Sequence, residues 1–275
     1  MKQLLLCGPW QGEFGWEICI WQPHLRYLSQ TMKVDKIVVS IQPTHEVLYQ
    51  DFANGFIYNK RGRNSDGWRN RDNDVSRFPN SVLDELKRKN KDYYIKIISP
   101  NDENMSEESP KTFIRFGKKE SEYKYDILMH ARWTNKCNSG DRNWSLKRWE
   151  EISKHFKRLN LKMASIGLKS SAKHIPYTDY LLNMDLNNMT NIMANSRLII
   201  GPSSGPLHLA SFCGCPQLVW TNNKYWKSIN GTNRKRWETA WNPFQTKVIV
   251  LDDCNWQPRP KDVIRSIENL LSIKY

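Results

Sequence analysis

Residues Arg197 to Trp220, RLIIGPSSGPLHLASFCGCPQLVW, run from an apolar stretch through a Gly- and Ser-rich turn and a helical stretch into a second apolar stretch. Short apolar runs of this kind suit strands buried on both faces, and two strands joined through a helix pair in parallel. The same order recurs along the chain. In the first half a strand KQLLLCG leads through a Gly-rich turn into an amphipathic run, EICIWQPHLRYLSQ, then a strand KIVVSI. Thr44 looks like the N-cap of a helix over HEVLYQDFA, and a helical stretch at Val82 to Lys89 precedes a strand in DYYIKIISP. In the second half come strand YDILMHAR, helix SLKRWEEISKHFKRL, strand KMASIG, helix NNMTNIMANS, the segment above, strand KVIVL and helix PKDVIRSIENLLSI. Alternation in both halves predicts an α/β chain of two facing, Rossmann-like, doubly wound domains, with ligands at the carboxyl ends of the strands. The polar run Asn101 to Lys124 has a linker's composition and holds the boundary. The expected division is 1–118, 119–258 and a terminal helix at 259–275 free to cross back to the first domain.

Charge narrows the partners. Among 275 residues, 42 Lys and Arg face 28 Asp and Glu, a formal charge of +14 that suits a polyanionic partner such as nucleic acid, anionic lipid or acidic glycan. Six cysteines (Cys7, Cys19, Cys137, Cys213, Cys215, Cys254) include no C-x-x-C pair, which leaves reduced, mostly buried thiols as the expectation. The amino-terminal apolar run stops at a Gly-Pro turn, too short for a signal core or a membrane span, which points to a cytoplasmic protein.

Gly201-Pro-Ser-Ser-Gly205 also reads as G-x-S-x-G, the turn that carries a serine nucleophile. That chemistry needs a histidine base after the serine, and no histidine follows His208, which belongs to the next helix. A phosphate cradle uses more of the segment. Two hydroxyls, free amides, Gly205 for close backbone approach, and Pro206 at the first turn of a helix whose dipole favours anions fit a diphosphate.

These residues resemble a known family. IIGPSSGPLHLASFCGCP looks like the carboxyl-terminal-domain loop of the heptosyltransferase-type, family 9-like glycosyltransferases. HARWTNKCNSGDRNWSLKRWEEISKHF is similar to that family's first motif in the same domain. By this match Arg142 stands where the family has a phosphate-binding Lys, and Trp144-Ser145 replaces Trp-Pro. Pro202 or Ser203 replaces the acidic residue that opens the family's loop. The resemblance spans about Tyr125 to Trp220 and implies a GT-B fold, with a nucleotide-sugar on the second domain and the acceptor on the first. The donor contacts expected are Arg132, Arg142, Ser203, Ser204, Gly205 and His208. His130 and His208 fall on matched positions, either lining the nucleotide pocket or packed as core imidazoles.

In that family the first strand-to-helix loop holds a carboxylate, and here GPWQGEFGWEICIW offers Glu13 and Glu17, one helical turn apart. Inverting sugar transfer needs a base for the acceptor hydroxyl and electrostatic support for the leaving diphosphate. Glu13 is the expected base, with Glu17 orienting it or capping the helix. No D-x-D stands at a strand end and the six histidines lack ligand spacing, so no metal and no cofactor beyond the nucleotide-sugar is expected.

Arg and Lys interleave with Trp and Tyr in NKRGRNSDGWRNRD, IRFGKK and NKYWKSINGTNRKRW. Such segments suit a backbone-tracking, base-stacking surface. With Lys60, Arg61, Arg63, Trp68 and Arg69 as acceptor contacts, the favoured acceptor is a hydroxylated base in DNA, flipped from the duplex. The alternative is an anionic lipopolysaccharide or other cell-surface saccharide. A third reading is a non-catalytic nucleic-acid-binding protein on a transferase scaffold.

Overall fold

The computed structural model describes residues 2–59, 78–100, 108–134, 140–223 and 231–273. Two compact units meet at Ile114 and Arg115, four residues before the division expected from composition.

In the first unit β1 (Lys2–Cys7), β2 (Lys36–Ile41), β3 (Gly55–Tyr58) and β4 (Tyr93–Ile98) form one parallel sheet in the order β3-β2-β1-β4. The chain leaves β1 toward β2 and β3, then returns to β4 on the other side. The strand order therefore reverses between β1 and β4, the place where doubly wound sheets take ligands. Helix α3 (Asn80–Lys89) lays Val82, Leu83 and Leu86 against Leu4, Leu6 and Val38.

The run read as one helix after β1 is three joined pieces: α1 (Phe14–Trp16), a π-helical stretch (Glu17–Trp21) and α2 (Gln22–Thr31). Pro23 explains the arrangement. It has no N–H to give to a carbonyl one turn back and would crowd a regular helix there. In the wider register the Gln22 N–H reaches Glu17 O, and the Gln22 side-chain amide donates to Ile18 O at 3.0 Å, the carbonyl that Pro23 leaves without a backbone donor. The helix expected after Thr44 is instead a single 3-10 turn, Glu46–Leu48. Thr44 does not cap it: its φ of 74° lies in the left-handed region, and His45 occupies the cap position.

The second unit holds β5 (Ile127–Met129), β7 (Met163–Gly167), β9 (Asp179–Leu182), β10 (Ile199–Pro202), β11 (Gln217–Trp220) and β12 (Val248–Leu251) in the parallel order β12-β11-β10-β5-β7-β9. β6 (Ala131–Arg132) and β8 (Ala172–Lys173) add an antiparallel pair beyond the ends of β5 and β7. The helices are α4 (Leu146–Arg158), α5 (Leu186–Ala194), α6 (Gly205–Cys213), α7 (Asn233–Glu238) and α8 (Pro260–Leu271). Here the order reverses between β5 and β10.

One core runs through Ile127, Met129, Trp144, Trp149, Phe156, Ile200, Leu218, Trp220 and, from α8, Val263, Ile267 and Leu271. The α8 residues thus pack within the second unit. Burying one large side chain of this kind is worth roughly 2–3 kcal/mol before entropy is charged. Helix α6 ends at Gly214, whose φ of 71° needs a glycine and lets the Cys215 N–H close onto Ala210 O at 3.1 Å. Cys7, Cys19, Cys213 and Cys215 are buried thiols, as expected, and Cys254 is half-buried. Cys137 lies outside the described residues. Among the described residues no helix is long and apolar enough to cross a membrane.

Candidate functional site

The reversal point of the second sheet gathers both segments expected to form the cradle. β5 runs out into His130, β6 and Trp133, and its neighbour β10 runs out into Ser203, Ser204 and α6. Gly201 makes the approach of the two possible: a Cβ there would sit 3.0 Å from Leu207 Cδ2 and 3.2 Å from the His130 carbonyl.

The two serines differ. The Ser203 N–H is consumed by Trp220 O at 2.9 Å, extending the ladder, and its hydroxyl accepts from Trp237 Nε1 at 3.1 Å. Ser203 is therefore a strut, which corrects its expected role as an amide donor to phosphate. Ser204 is the N-cap residue of α6, with extended φ/ψ of −166° and 169°. A serine at this position ordinarily accepts an N–H from the first turn. Ser204 does not, and among the described residues its buried Oγ has no hydrogen-bond partner. The Leu207 and His208 N–H groups fold back to Ser204 O, Pro206 has none, and helix geometry leaves the Gly205 amide without an intrahelical acceptor.

His208 is packed among aromatic rings. It is buried, its ring lies 4.5 Å from Trp237 in a parallel stack and edge-on to Trp241, and burial pulls its pKa down to about 3. His130 is likewise a neutral core imidazole, held by burial at a pKa of about 4 with Nδ1–H donating to Ile166 O at 3.2 Å. The positive charge in the site belongs to the arginines. Arg132 Nη1 donates to Asn143 Oδ1 at 2.7 Å and to Thr134 O. Arg142, in a 3-10 turn at Gly140–Arg142, lies 4.5 Å over the ring of Trp256. No described carboxylate pairs with it. Gln257 steadies this turn by donating to Asp141 O and Asn143 O while accepting from Arg148. Asn143, Trp237, Trp256 and Gln257 were not legible as site residues, because each acts through contacts distant in sequence.

In the first unit Glu13 is exposed, at the N-cap of α1, and makes no capping bond. Glu17 does not orient it. Its carboxylate is 2% exposed and is taken up by the Tyr49 hydroxyl at 2.8 Å and by His45 Nδ1 at 3.0 Å. Burial and this carboxylate push the Tyr49 hydroxyl's pKa up, so it stays a donor.

The basic segments fare differently from expectation. Lys60, Arg61, Arg63, Trp68 and Arg69 lie outside the described residues. Elsewhere four of the charges are engaged: Arg115 lies over Phe244, Lys119 donates to Ala194 O, Arg234 pairs with Asp252, and buried Arg236 lies over Trp241, while Lys118 and Lys235 are exposed. Among the described residues no group of three His, Cys, Asp or Glu side chains is arranged to hold a metal.

No family model matches the chain, and no curated protein matches its sequence. Solved structures match over its whole length. A glycosyl transferase family 9 protein from Veillonella parvula superposes with a TM-score of 0.58 at 14% identity, covering 99% of this chain and 98% of that one. The E. coli ADP-heptose lps heptosyltransferase II gives 0.58 at 11% identity, covering 99% of each chain. The fold is GT-B. E. coli heptosyltransferase WaaC, solved with ADP, gives 0.55 at 12% identity and covers 98% of this chain and 99% of that one. At such identities the likeness is one of GT-B architecture, with two Rossmann-like α/β domains, as the sequence resemblance implies.

Proposed function

We propose that the chain is a glycosyltransferase that moves a sugar from a nucleotide-diphosphate donor to an acceptor hydroxyl with inversion and without a metal. One observation carries the reading. Ser204 sits at a helix N-cap, at the point where the sheet order reverses, with a buried hydroxyl that neither caps the helix nor bonds any other described residue. A buried hydroxyl without a partner costs roughly 1–3 kcal/mol, which a bound diphosphate oxygen would recover. The Gly205 amide, the α6 dipole and Arg142 add the charge that stabilises the leaving group. Glu13, exposed on the loop after β1, is the general base.

The acceptor we propose is an anionic saccharide. Support comes from the fold's likeness to a structure described as an lps heptosyltransferase, and from the net charge of +14. The DNA reading rested on open basic surfaces, and of the described basic residues that it invoked Arg115, Lys119, Arg234 and Arg236 make contacts within the fold.

The test is a panel of ADP-, UDP- and GDP-linked sugars, with release of the nucleoside diphosphate as the readout. One donor class should be turned over, Glu13→Gln should lower turnover at least 100-fold with donor affinity kept, and Ser204→Ala should weaken nucleotide binding about tenfold. Failure of every donor to bind or react would refute the reading. Duplex DNA should bind weakly; tight binding with a steep log–log salt slope would restore DNA as the acceptor.

A further inference from the structure

Glu17 and His45 form an ionisable pair in the first unit that the sugar transfer, as proposed, leaves unused. β1 and β2 are neighbours in a parallel sheet, so the segments leaving their carboxyl ends share one edge. Glu17 comes from the first of these and His45 from the second. His45 Nδ1 is 3.0 Å from the Glu17 carboxylate, which also accepts from the Tyr49 hydroxyl, while the Phe14 ring packs edge-on at 5.3 Å. A carboxylate accepts only, so Nδ1 carries the proton and the Nε2 lone pair is directed away from the pair. No described residue hydrogen-bonds Nε2. The side chain keeps 13% of its surface exposed while Glu17 keeps 2%. The other charged groups nearby are committed: Glu46 to the Tyr58 hydroxyl, and Arg26, beyond Tyr49, to Asp51.

A buried carboxylate that fixes the tautomer of an imidazole and leaves its other nitrogen open is the arrangement of an oriented base. We infer, on the glycosyltransferase reading, that His45 is a second general base on the same edge as Glu13, with Glu17 and Tyr49 as its positioning residues. In the step, the acceptor O–H gives its proton to Glu13 as the acceptor oxygen bonds to the sugar's anomeric carbon, and Glu13, next in sequence to the Phe14 that packs on His45, passes that proton on to His45 Nε2. The bond from that carbon to the diphosphate oxygen breaks, and the diphosphate leaves with the electron pair. The Nδ1 proton stays between His45 and Glu17, whose charge stabilises the imidazolium.

The experiment compares Glu13→Gln, His45→Gln and the double variant on whichever donor the wild type turns over, across pH 5 to 9. His45→Gln should lose about 100-fold in turnover with nucleotide affinity unchanged, and added imidazole should restore part of the rate to His45→Gly. The double variant should fall further than Glu13→Gln, and Glu17→Gln should shift the pH profile as well as lower the rate. A His45→Gln enzyme within twofold of wild type, or a double variant no slower than Glu13→Gln, would overturn the inference. Nitrogen-15 NMR of the full chain supplies a readout that needs no substrate. It should find His45 protonated on Nδ1 at neutral pH; protonation on Nε2 instead would overturn the inference even in an active enzyme. A wild type that releases no nucleotide from any donor would defeat the glycosyltransferase reading, and with it the catalytic role, whatever tautomer the NMR finds.

Discussion

Arg26 shows how a charge is made to serve structure. Its guanidinium is 1% exposed, reaches Asp51 with two hydrogen bonds of 2.6 and 2.9 Å, and also donates to Leu48 O. Removing one partner of such a pair strands the other, so Asp51→Ala should cost about 3 kcal/mol by urea denaturation, less whatever water recovers at the half-exposed carboxylate. The same reasoning separates the second unit's histidines from its arginines. His130 and His208 are neutral in the fold, with pKa values of about 4 and about 3 against 6.5 for free histidine. Depressed values mean that the unfolded chain takes up protons the folded chain refuses. Their contribution is intact above pH 6.5 and is lost as pH falls toward 4 and then 3, on the order of several kcal/mol in all. Denaturation curves at pH 7, 5.5 and 4.5 should show that loss, and His208→Phe, which keeps the stack on Trp237, should remove part of it. A curve flat over this range would contradict the burial argument.

At the scale of elements, the three-piece helix after β1 depends on Gln22. Gln22→Ala leaves Ile18 O unsatisfied and takes a partner from Arg26, a loss of about 1–3 kcal/mol measurable as a lowered Tm. The apolar runs KIVVSI, MASIG, LIIG and QLVW were legible as strands because buried parallel strands need continuous hydrophobic residues, and each became one. β3 and β9 were not, since GFIY and DYLL are four-residue, half-exposed edge strands, too short to show a period. Helix α7 was hidden by its charges: NRKRWE reads as a basic surface, yet Arg236 and Trp237 are buried in it. Of the site, the loop at Ser204 was visible because Gly, Ser and Pro mark a strand-to-helix turn. The separate fates of Ser203 and Ser204 were not, because Trp220 O and Trp237 Nε1 decide them through tertiary contact. Glu17's engagement with His45 and Tyr49 escaped for the same reason, as those partners lie 28 and 32 residues away.

At the scale of the molecule, each unit is a parallel sheet with its own reversal point, β1/β4 in the first and β5/β10 in the second, and the residues with unspent chemistry cluster at the carboxyl ends of the strands. On the proposed function, a nucleoside diphosphate docks at the second of these points. Backbone amide NMR during titration with ADP, UDP and GDP tests it most directly. One of the three should move the Ser204 and Gly205 amides downfield, as charge-assisted hydrogen bonds to phosphate form, together with the Arg142 side-chain signals. Saturable binding that leaves Ser204, Gly205 and Arg142 unmoved, or no binding by any of the three, would contradict it.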